Sequence, residues 1–216
     1  MKKMIQFLFC ISFLGCLDLM AKLPDECASA SKNFGQSLKC AQHYFTVDGK
    51  RVNPRIIQDL NAWISDSGTQ VYSISLLESQ NSNRYFCNDI SQPITAKNCN
   101  TKEGESFDYH LVGKVAHDIF ALQTEASGGG FGTFYTLLLV RIKEANSIGE
   151  VDKYESDQTL NPQHKMILIE KVGSLLLGDR TGPEVKVNGN KIVIKKCEDN
   201  CAVNSKQNEI IIHIAD

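Results

Sequence analysis

The densest group of residues that could bind a ligand lies at residues 128–132, which read Gly-Gly-Gly-Phe-Gly. Glycine-rich backbone can cradle a phosphate, but a P-loop ends in Gly-Lys-Ser/Thr, whereas Thr133 and Phe134 follow here. The dinucleotide-binding pattern opens a helix, whereas residues 133–140 favour a strand. The run therefore predicts a hairpin turn, with Phe131 at its tip as a candidate binding residue. Its turn glycines are Gly128, Gly129, Gly130 and Gly132.

A second short motif, Leu-Gly-Asp-Arg at residues 177–180, ends an apolar segment with one acid and one base. The favoured interpretation is a turn, in which Asp179 accepts hydrogen bonds from local backbone amides and Arg180 pairs with a carboxylate or packs its stem. The alternative is a recognition surface in which Arg180 contacts an anionic group of a partner. Asp179 and Arg180 therefore join Phe131 as candidate binding residues.

Signatures of catalysis and of metal binding are missing from the sequence. The five histidines are scattered, without His-Glu-x-x-His spacing, and the pair His117-Asp118 is typical of a turn. The nucleophile elbow Gly-x-Ser-x-Gly is also missing, and the carboxylates offer no reason to choose a pair for glycoside cleavage. A catalytic triad assembled from distant residues stays open, because geometry rather than spacing defines it. We expect no metal and no cofactor, and favour a non-enzymatic role.

The N-terminus has the three parts of a secretory signal peptide. Lys2 and Lys3 precede an almost unbroken apolar stretch at residues 4–17, and the segment closes at Leu-Met-Ala. The apolar stretch is too short for a conventional transmembrane helix, and no later run is long enough, so we expect no transmembrane segment. We predict cleavage after Ala21 and export to the periplasm or the extracellular space. A minority interpretation is a lipid anchor on Cys16, which follows a glycine as in lipoprotein cleavage sites.

Composition and charge are those of an ordinary globular protein. Removal of residues 1–21 would leave 195 residues with a net charge of −3. The charges are dispersed, without a basic block that would favour nucleic-acid binding. Hydrophobic residues make up 42% of the chain, which is typical of a folded domain. We predict one domain over residues 22–216, in which residues 22–52 are a candidate disulfide-closed appendage.

Six cysteines remain after this cleavage, and their even number in an exported chain predicts disulfides. Many pairings are open, but the cysteines fall into three local couples. Cys197 and Cys201 could also form a zinc site together with His213, although a disulfide between the two cysteines is favoured in an oxidising compartment. The couples are Cys27 with Cys40, Cys87 with Cys99, and Cys197 with Cys201.

Hydrophobic periodicity predicts few helices. Asn53 is a favourable N-cap and Pro54 a favourable first helical residue, and apolar residues recur at helical spacing as far as Ile64. Residues 27–40 offer a helical face for one or two turns beneath a disulfide.

Most of the chain is predicted to be β-structure. Short strands are expected at residues 43–47 and 71–77, and residues 88–106 are predicted to be a polar loop. Hairpin turns are signalled by Asp48-Gly49 and Asn188-Gly189. The fold class is therefore α+β, a mostly antiparallel sheet meander with an N-terminal helix packed on it and disulfide-stapled loops. The strands of the meander are predicted at residues 109–115, 119–126, 133–143, 166–177, 184–187, 191–196 and 209–214.

The two short motifs together resemble a loose group of secreted bacterial proteins of unassigned function. That group shares a Gly-Gly-Gly-x-Gly-Thr-Phe turn between strands and a later Leu-Gly-Asp-Arg before a hairpin. Here these motifs are residues 128–134 and 177–180, with the hairpin at residues 188–189. The resemblance covers about a third of the chain. It implies an exported β-rich domain and carries over no catalytic residue.

The sequence favours an exported, non-enzymatic protein that binds another macromolecule, for example as an inhibitor or accessory factor. The reasons are the missing catalytic spacing and the disulfide-stapled loops on a compact sheet. Two alternatives stay open. One is a hydrolase whose site is assembled from non-adjacent residues, and the other is an envelope protein that binds a small ligand on the open face of the sheet.

Overall fold

The computed structural model describes residues 23–29, 33–61, 71–80, 86–87, 95–98, 105–128, 132–146, 164–195 and 209–214. These residues form a 3-10 turn at Asp25–Cys27 and the helices α1 (Phe34–Tyr44), α2 (Pro54–Asn61) and α3 (Leu76–Gln80). The strands are β1 (Thr46–Val47), β2 (Lys50–Arg51), β3 (Ser73–Ser75), β4 (Phe86–Cys87), β5 (Thr95–Asn98), β6 (Glu105–Lys114), β7 (Ile119–Gly128), β8 (Thr133–Asn146), β9 (Lys165–Asp179), β10 (Val185–Asn188), β11 (Lys191–Lys195) and β12 (Glu209–His213).

A seven-stranded antiparallel sheet, which we call the large sheet, forms the middle of the fold. Its strand order is β3-β9-β8-β7-β6-β5-β4. Strands β10, β11 and β12 form a separate antiparallel sheet, the small sheet, and β1 pairs with β2 as a hairpin. The predicted α+β class and antiparallel meander are confirmed, but the meander is divided between two sheets. The chain leaves the large sheet after β9 and begins the small sheet at β10.

The helices pack on one face of the large sheet. Alternate residues of its strands point to this face and join helix residues in the first apolar core. The Phe45 ring lies 5.0 Å from the Phe120 ring and 6.0 Å from the Tyr109 ring, measured between centroids. Residues from α2, including Ile57 and Leu60, complete this core. The predicted packing of an N-terminal helix on the sheet is therefore confirmed.

The small sheet packs on the opposite face of the large sheet. Ile192 and Ile194 of β11 lie in the second apolar core with Ala121 of β7 and Leu137 of β8. Because β8 is covered on both faces, its sequence is nearly continuous in apolar residues at 137–140 and does not alternate with polar ones.

The predicted strand at residues 43–47 is wrong at its start, because α1 continues through Tyr44. This helix is capped by Asn33, whose Oδ1 accepts hydrogen bonds from two backbone amides. It ends at Phe45, which adopts a left-handed φ of 56°. Complete burial of the Phe45 side chain offsets the cost of this conformation. The disulfide between Cys27 and Cys40 ties the 3-10 turn to α1, as predicted.

Helix α2 begins as predicted. The Asn53 Oδ1 accepts a hydrogen bond of 2.9 Å from the backbone amide of Arg55, and Pro54 is the first helical residue. The structure describes this helix as far as Asn61, so the predicted contributions of Trp63 and Ile64 lie outside the described residues.

The predicted strand at residues 71–77 is wrong after Ser75, because Leu76 and Leu77 begin helix α3. Hydrogen bonds from distant residues stabilise this helix. The buried Gln80 side chain donates from Nε2 to the Arg51 carbonyl over 2.7 Å and accepts from the Asn53 amide over 2.9 Å. Asn53 also donates from Nδ2 to the Gln80 carbonyl over 3.1 Å. These long-range contacts override the local alternation of polar and apolar residues.

The predicted polar loop at residues 88–106 is interrupted by strands. Residues of β5 pair with β6, with Ala96 opposite Tyr109, and β6 already begins at Glu105. Backbone hydrogen bonding needs no apolar side chains, so a polar segment can extend a sheet once a neighbouring strand is in place. The other residues of this segment lie outside the described part of the chain.

The hairpin turns predicted at Asp48-Gly49 and Asn188-Gly189 are confirmed. Asp48 and Gly49 have φ values of 50° and 73° between β1 and β2. Gly189 has a φ of 61° between β10 and β11, with Asn188 opposite Lys191. Positive φ at these positions matches the twist that short hairpins require.

Replacing Tyr109 with phenylalanine tests the contact between β6 and the segment before α2. The buried Tyr109 hydroxyl donates a 2.6 Å hydrogen bond to the Val52 carbonyl, which would lose its partner. We expect the free energy of unfolding, measured by urea denaturation, to fall by about 1–3 kcal/mol. The half-buried Tyr44 provides the control. Tyr44→Phe should change the free energy of unfolding by less than about 0.5 kcal/mol. Equal losses in the two variants would contradict this assignment.

Candidate functional site

The two short sequence motifs lie side by side at one end of the large sheet. β7 ends at Gly128 and β8 begins at Thr133, so the glycine-rich segment joins two neighbouring antiparallel strands. β9 pairs with the other side of β8, which places Asp179 opposite Phe134. We call this region, made of residues 123–128, 132–136 and 177–183, the loop end of the large sheet.

Hydrogen bonds connect the two motifs directly. The Arg180 amide donates to the Thr133 carbonyl over 2.7 Å, and the Thr133 amide donates to Asp179 Oδ1 over 3.1 Å. Asp179 therefore accepts a hydrogen bond from a backbone amide of the neighbouring strand, whereas the sequence predicted that it would accept from backbone amides of its own turn. A Cβ at Gly132 would lie 3.3 Å from both Asp179 Oδ1 and the Phe134 ring. Glycine at this position leaves room for the carboxylate.

Arg180 occupies a strained turn. The Thr181 amide donates to the Asp179 carbonyl over 2.9 Å, which closes a γ-turn around Arg180 with a φ of 70°. This form of γ-turn is rare, and a left-handed conformation is costly for a residue other than glycine. Arg180 is exposed, and within the part of the chain that the structure describes its guanidinium forms no hydrogen bond or ion pair. The turn interpretation gave Arg180 two roles, and of these the pairing with a carboxylate is not seen among the described residues.

An acid and a phenol form a hydrogen-bonded pair on the side of the loop end that faces the small sheet. Glu125 of β7 lies directly opposite Tyr135 of β8. Burial raises the pKa of Tyr135, and the Glu125 carboxylate raises it further through its charge and through their hydrogen bond. On the same face, Gln123 donates from Nε2 to the Pro183 carbonyl over 3.1 Å. These contacts fix the segment that follows Arg180 against β7 and β8.

Sequence reasoning did not single out Glu125, Tyr135 or Gly182. A Cβ at Gly182 would lie 2.6 Å from Tyr135 Cδ1, so only glycine lets the chain cross the Tyr135 ring. The dipeptide Gly182-Pro183 was a visible turn signal. The pairing of Glu125 with Tyr135 depends on the register across the glycine-rich turn, which the sequence does not specify.

Phe134 presents an exposed aromatic ring at the loop end of the large sheet. Its side chain is 48% exposed, although the next two residues on the same face of β8, Thr136 and Leu138, are buried. Phe134 lies opposite Asp179, one residue from Arg180. The candidate Phe131 and the turn glycines Gly129 and Gly130 lie outside the described residues.

The remaining cysteine predictions are untested. Cys87 belongs to β4, whereas Cys99, Cys197 and Cys201 lie outside the described residues, so the second and third disulfides stay predictions. The alternative zinc site formed by Cys197, Cys201 and His213 is untested for the same reason, because both cysteines lie outside the described residues.

The residues His117 and Asp118, which the sequence places side by side, lie just before the other end of β7. His117 contacts the His43 ring, with centroids 6.1 Å apart, and Asp118 pairs with Arg141 over 3.3 Å. Among the described residues, no group of three or more His, Cys, Asp or Glu side chains is arranged to hold a metal ion.

Comparison with known proteins adds no relative. No protein-family model, no curated protein and no solved structure matches the chain. The resemblance to secreted bacterial proteins therefore stays a prediction. Within the described ranges, no helix has the length and apolar character needed to span a bilayer.

Gly182→Ala tests the passage of the chain over Tyr135. The added methyl group must displace the Tyr135 ring, so we expect the free energy of unfolding to fall by about 1–3 kcal/mol. Gly128 provides a matched control at the same end of the sheet, since a Cβ there would meet nothing within 4 Å. Urea denaturation of Gly128→Ala should show a change of less than about 1 kcal/mol. The idea fails if Gly182→Ala is as stable as Gly128→Ala.

Glu125→Gln tests the acid–phenol pair by titration. Removing the carboxylate should lower the pKa of Tyr135 towards, but not below, the ordinary value of 10.0, because burial still raises it. The raised pKa contributes stability that is complete below the unfolded value and is lost as the pH rises through the folded value. Ultraviolet absorbance titration measures the ionisation, and Tyr135→Phe assigns the signal. A Tyr135 pKa unchanged by Glu125→Gln would rule out this pair.

Proposed function

We propose that this chain is an exported protein that binds another macromolecule through the loop end of the large sheet and does not itself catalyse a reaction. The observation that carries the proposal is the strained turn that holds the exposed Arg180 next to the exposed Phe134. Strained backbone conformations concentrate at sites where function requires them. A guanidinium and an aromatic ring are also the side chains that contribute most often to binding hot spots.

The chemistry of these side chains indicates the kind of partner. An unpaired guanidinium binds carboxylate or phosphate oxygens through two parallel hydrogen bonds. The Phe134 ring beside it favours an apolar group. The partner that fits both is a protein segment with an acidic side chain next to an apolar one.

Rigid support of the loop end favours binding. Arg180 and Thr133 are joined by a backbone hydrogen bond, and Asp179 holds the Thr133 amide. The register between β8 and β9 shifts between Tyr135 and Thr136, and such bulges commonly redirect side chains at functional sites. A surface already held in one conformation loses little entropy on binding.

Export is supported by two independent features. Residues 1–21 have the pattern of a signal peptide, for which periplasmic or extracellular localisation is the proposed outcome. The disulfide between Cys27 and Cys40 is compatible with this, because disulfides persist in oxidising compartments.

The alternative of an envelope protein that binds a small ligand on the open face of the sheet is less favoured. It assumed an open face of the sheet, but the central strands are covered by helices on one face and by the small sheet on the other. The hydrolase alternative is kept as an outcome of the experiment below.

Capture from envelope extracts and host secretions tests the proposal. The immobilised chain should retain a partner in a saturable manner, and Arg180→Ala or Phe134→Ala should weaken binding by about tenfold or more. Two control variants remove comparable exposed groups elsewhere. Arg55→Ala deletes a guanidinium on α2 that pairs with Asp59, and Tyr72→Ala deletes a ring that is 60% exposed.

Binding lost equally in all four variants, or no saturable partner under any condition, would refute the proposed site. Covalent labelling of the chain by hydrolase-directed probes would support the hydrolase instead. Phe131→Ala adds a separate measurement. It should weaken binding if that ring contacts the partner, or lower stability if the ring folds back onto the protein.

A further inference from the structure

The last strand of the small sheet, β12, has a free edge. β12 pairs with β11 on one side, and no strand of the described residues pairs with its other side. The other strands at the ends of the large and small sheets are shorter. β3, β4 and β10 have three, two and four residues, whereas β12 has five. Proteins commonly keep edge strands short, because an exposed edge recruits further strands.

β12 also lacks the usual protection of a free edge. Residues 209–213 read Glu-Ile-Ile-Ile-His, so no lysine or proline interrupts the strand. The register against β11 is regular, without a bulge. Ile210 and Ile212 pack in the second apolar core, whereas Ile211 lies on the outer face and is 47% exposed. The strand therefore presents an exposed apolar residue between an acid and an imidazole.

Three residues of β12 direct their backbone groups to the free edge. The Ile214 amide donates to the Asn190 carbonyl over 2.9 Å. Hydrogen-bonded and non-hydrogen-bonded pairs alternate along an antiparallel ladder, so residues 210, 212 and 214 direct their N–H and C=O groups towards β11. Glu209, Ile211 and His213 therefore direct theirs to the other side, where no strand of the described residues lies.

We propose that two copies of this chain associate through β12, whose free edges pair antiparallel about a two-fold axis at Ile211. In this register Ile211 lies opposite Ile211 of the second copy. Glu209 lies opposite His213 of the second copy, and the same contact recurs on the other side of the axis. The two small sheets then form one continuous sheet.

The sequence of β12 is its own complement, which is why we assign a second copy as the occupant. Antiparallel pairing about a two-fold axis brings together residues at equal distances before and after the axis. Glu209 and His213 lie at equal distances from Ile211, so the acid of each copy meets the imidazole of the other. The carboxylate accepts a hydrogen bond that the imidazole can donate in either of its protonation states.

The backbone selects the same register. With the axis at Ile211, the three residues that direct their backbone groups outward lie opposite each other, and each pair exchanges two hydrogen bonds. Opposite side chains also project to the same face, as antiparallel pairing requires. Moving the axis to Ile210 or Ile212 would place Ile211 opposite Glu209 or His213, and no acid would then meet an imidazole.

Glu209 and His213 are available for this contact. Both side chains are exposed, and neither takes part in a hydrogen bond or an ion pair within the described ranges. Lys195 lies opposite Glu209 on β11, but its ammonium group pairs with Glu184 over 2.8 Å. The acid and the imidazole at the two ends of β12 are therefore not engaged by the neighbouring strand.

Analytical ultracentrifugation over a range of concentrations tests the association. One strand from each copy makes a small interface, so we expect a dissociation constant on the order of micromolar or weaker. Ile211→Lys should raise this constant by about tenfold or more, because two ammonium groups would meet at the axis. Val172, a branched residue of β9 that is 44% exposed, provides the matched control. Val172→Lys should change the constant by less than about twofold.

A wild-type chain that stays monomeric up to about 1 mM would overturn the proposal. Equal effects of the two lysine substitutions would overturn it as well.

Exchange of the two end residues tests the register. His213→Glu places two carboxylates opposite each other on both sides of the axis, so it should raise the dissociation constant by about tenfold or more. Adding Glu209→His restores an acid opposite an imidazole, and the double variant should return to within about threefold of the wild type. Circular dichroism and thermal unfolding establish that both variants fold. A folded double variant that associates no better than His213→Glu alone would refute this register.

A chelator distinguishes this pairing from association through a metal ion bound at His213. The dimer should persist in EDTA, because the backbone and side-chain contacts across the axis need no metal. Loss of the dimer on chelation would contradict the proposal. These measurements use the purified chain alone, so their failure would leave the proposed function of the loop end intact.

Discussion

Burial of β8 on both of its faces is the constraint on which the rest of the structure depends. Leu137 lies in the core under the small sheet, and its neighbour Leu138 lies in the core under the helices. A shift of one residue would exchange these two side chains between cores of different shape, so the register of β8 against β7 and β9 is strongly determined. The same register brings Thr133, Phe134 and Tyr135 to their positions at the loop end. Geometry at the candidate site is thus a consequence of packing in the middle of the sheet.

Elements with local causes could be predicted from the sequence. The start of α2 follows from Asn53 and Pro54, and the turn at Gly189 follows from the backbone freedom of glycine. Helix α3 could not be predicted, because it depends on Gln80 reaching Arg51 and Asn53 across long separations in sequence. Strand β5 could not be predicted either, since its polar residues become a strand only by pairing with β6.

The candidate site was only partly visible in the sequence. Both motifs could be recognised as turns, but their meeting depends on the bulge between Tyr135 and Thr136, which no local pattern encodes. The left-handed backbone of Arg180 gave no signal, because such conformations are expected at glycine or asparagine. The separation of the last strands into a small sheet likewise depends on how the chain turns after β9.

The order of elements along the chain has a consequence for how the protein is made. Helices α1 and α2 and strand β3 precede the other strands of the large sheet, yet β3 pairs with β9, the last strand of that sheet along the chain. A growing chain therefore presents the apolar helix residues Ile57 and Leu60 before the strands that cover them exist. Pairing of β3 must wait for β9, and it closes a long loop against entropy. Until β9 has emerged, these apolar helix residues lack the complete sheet that buries them in the folded protein.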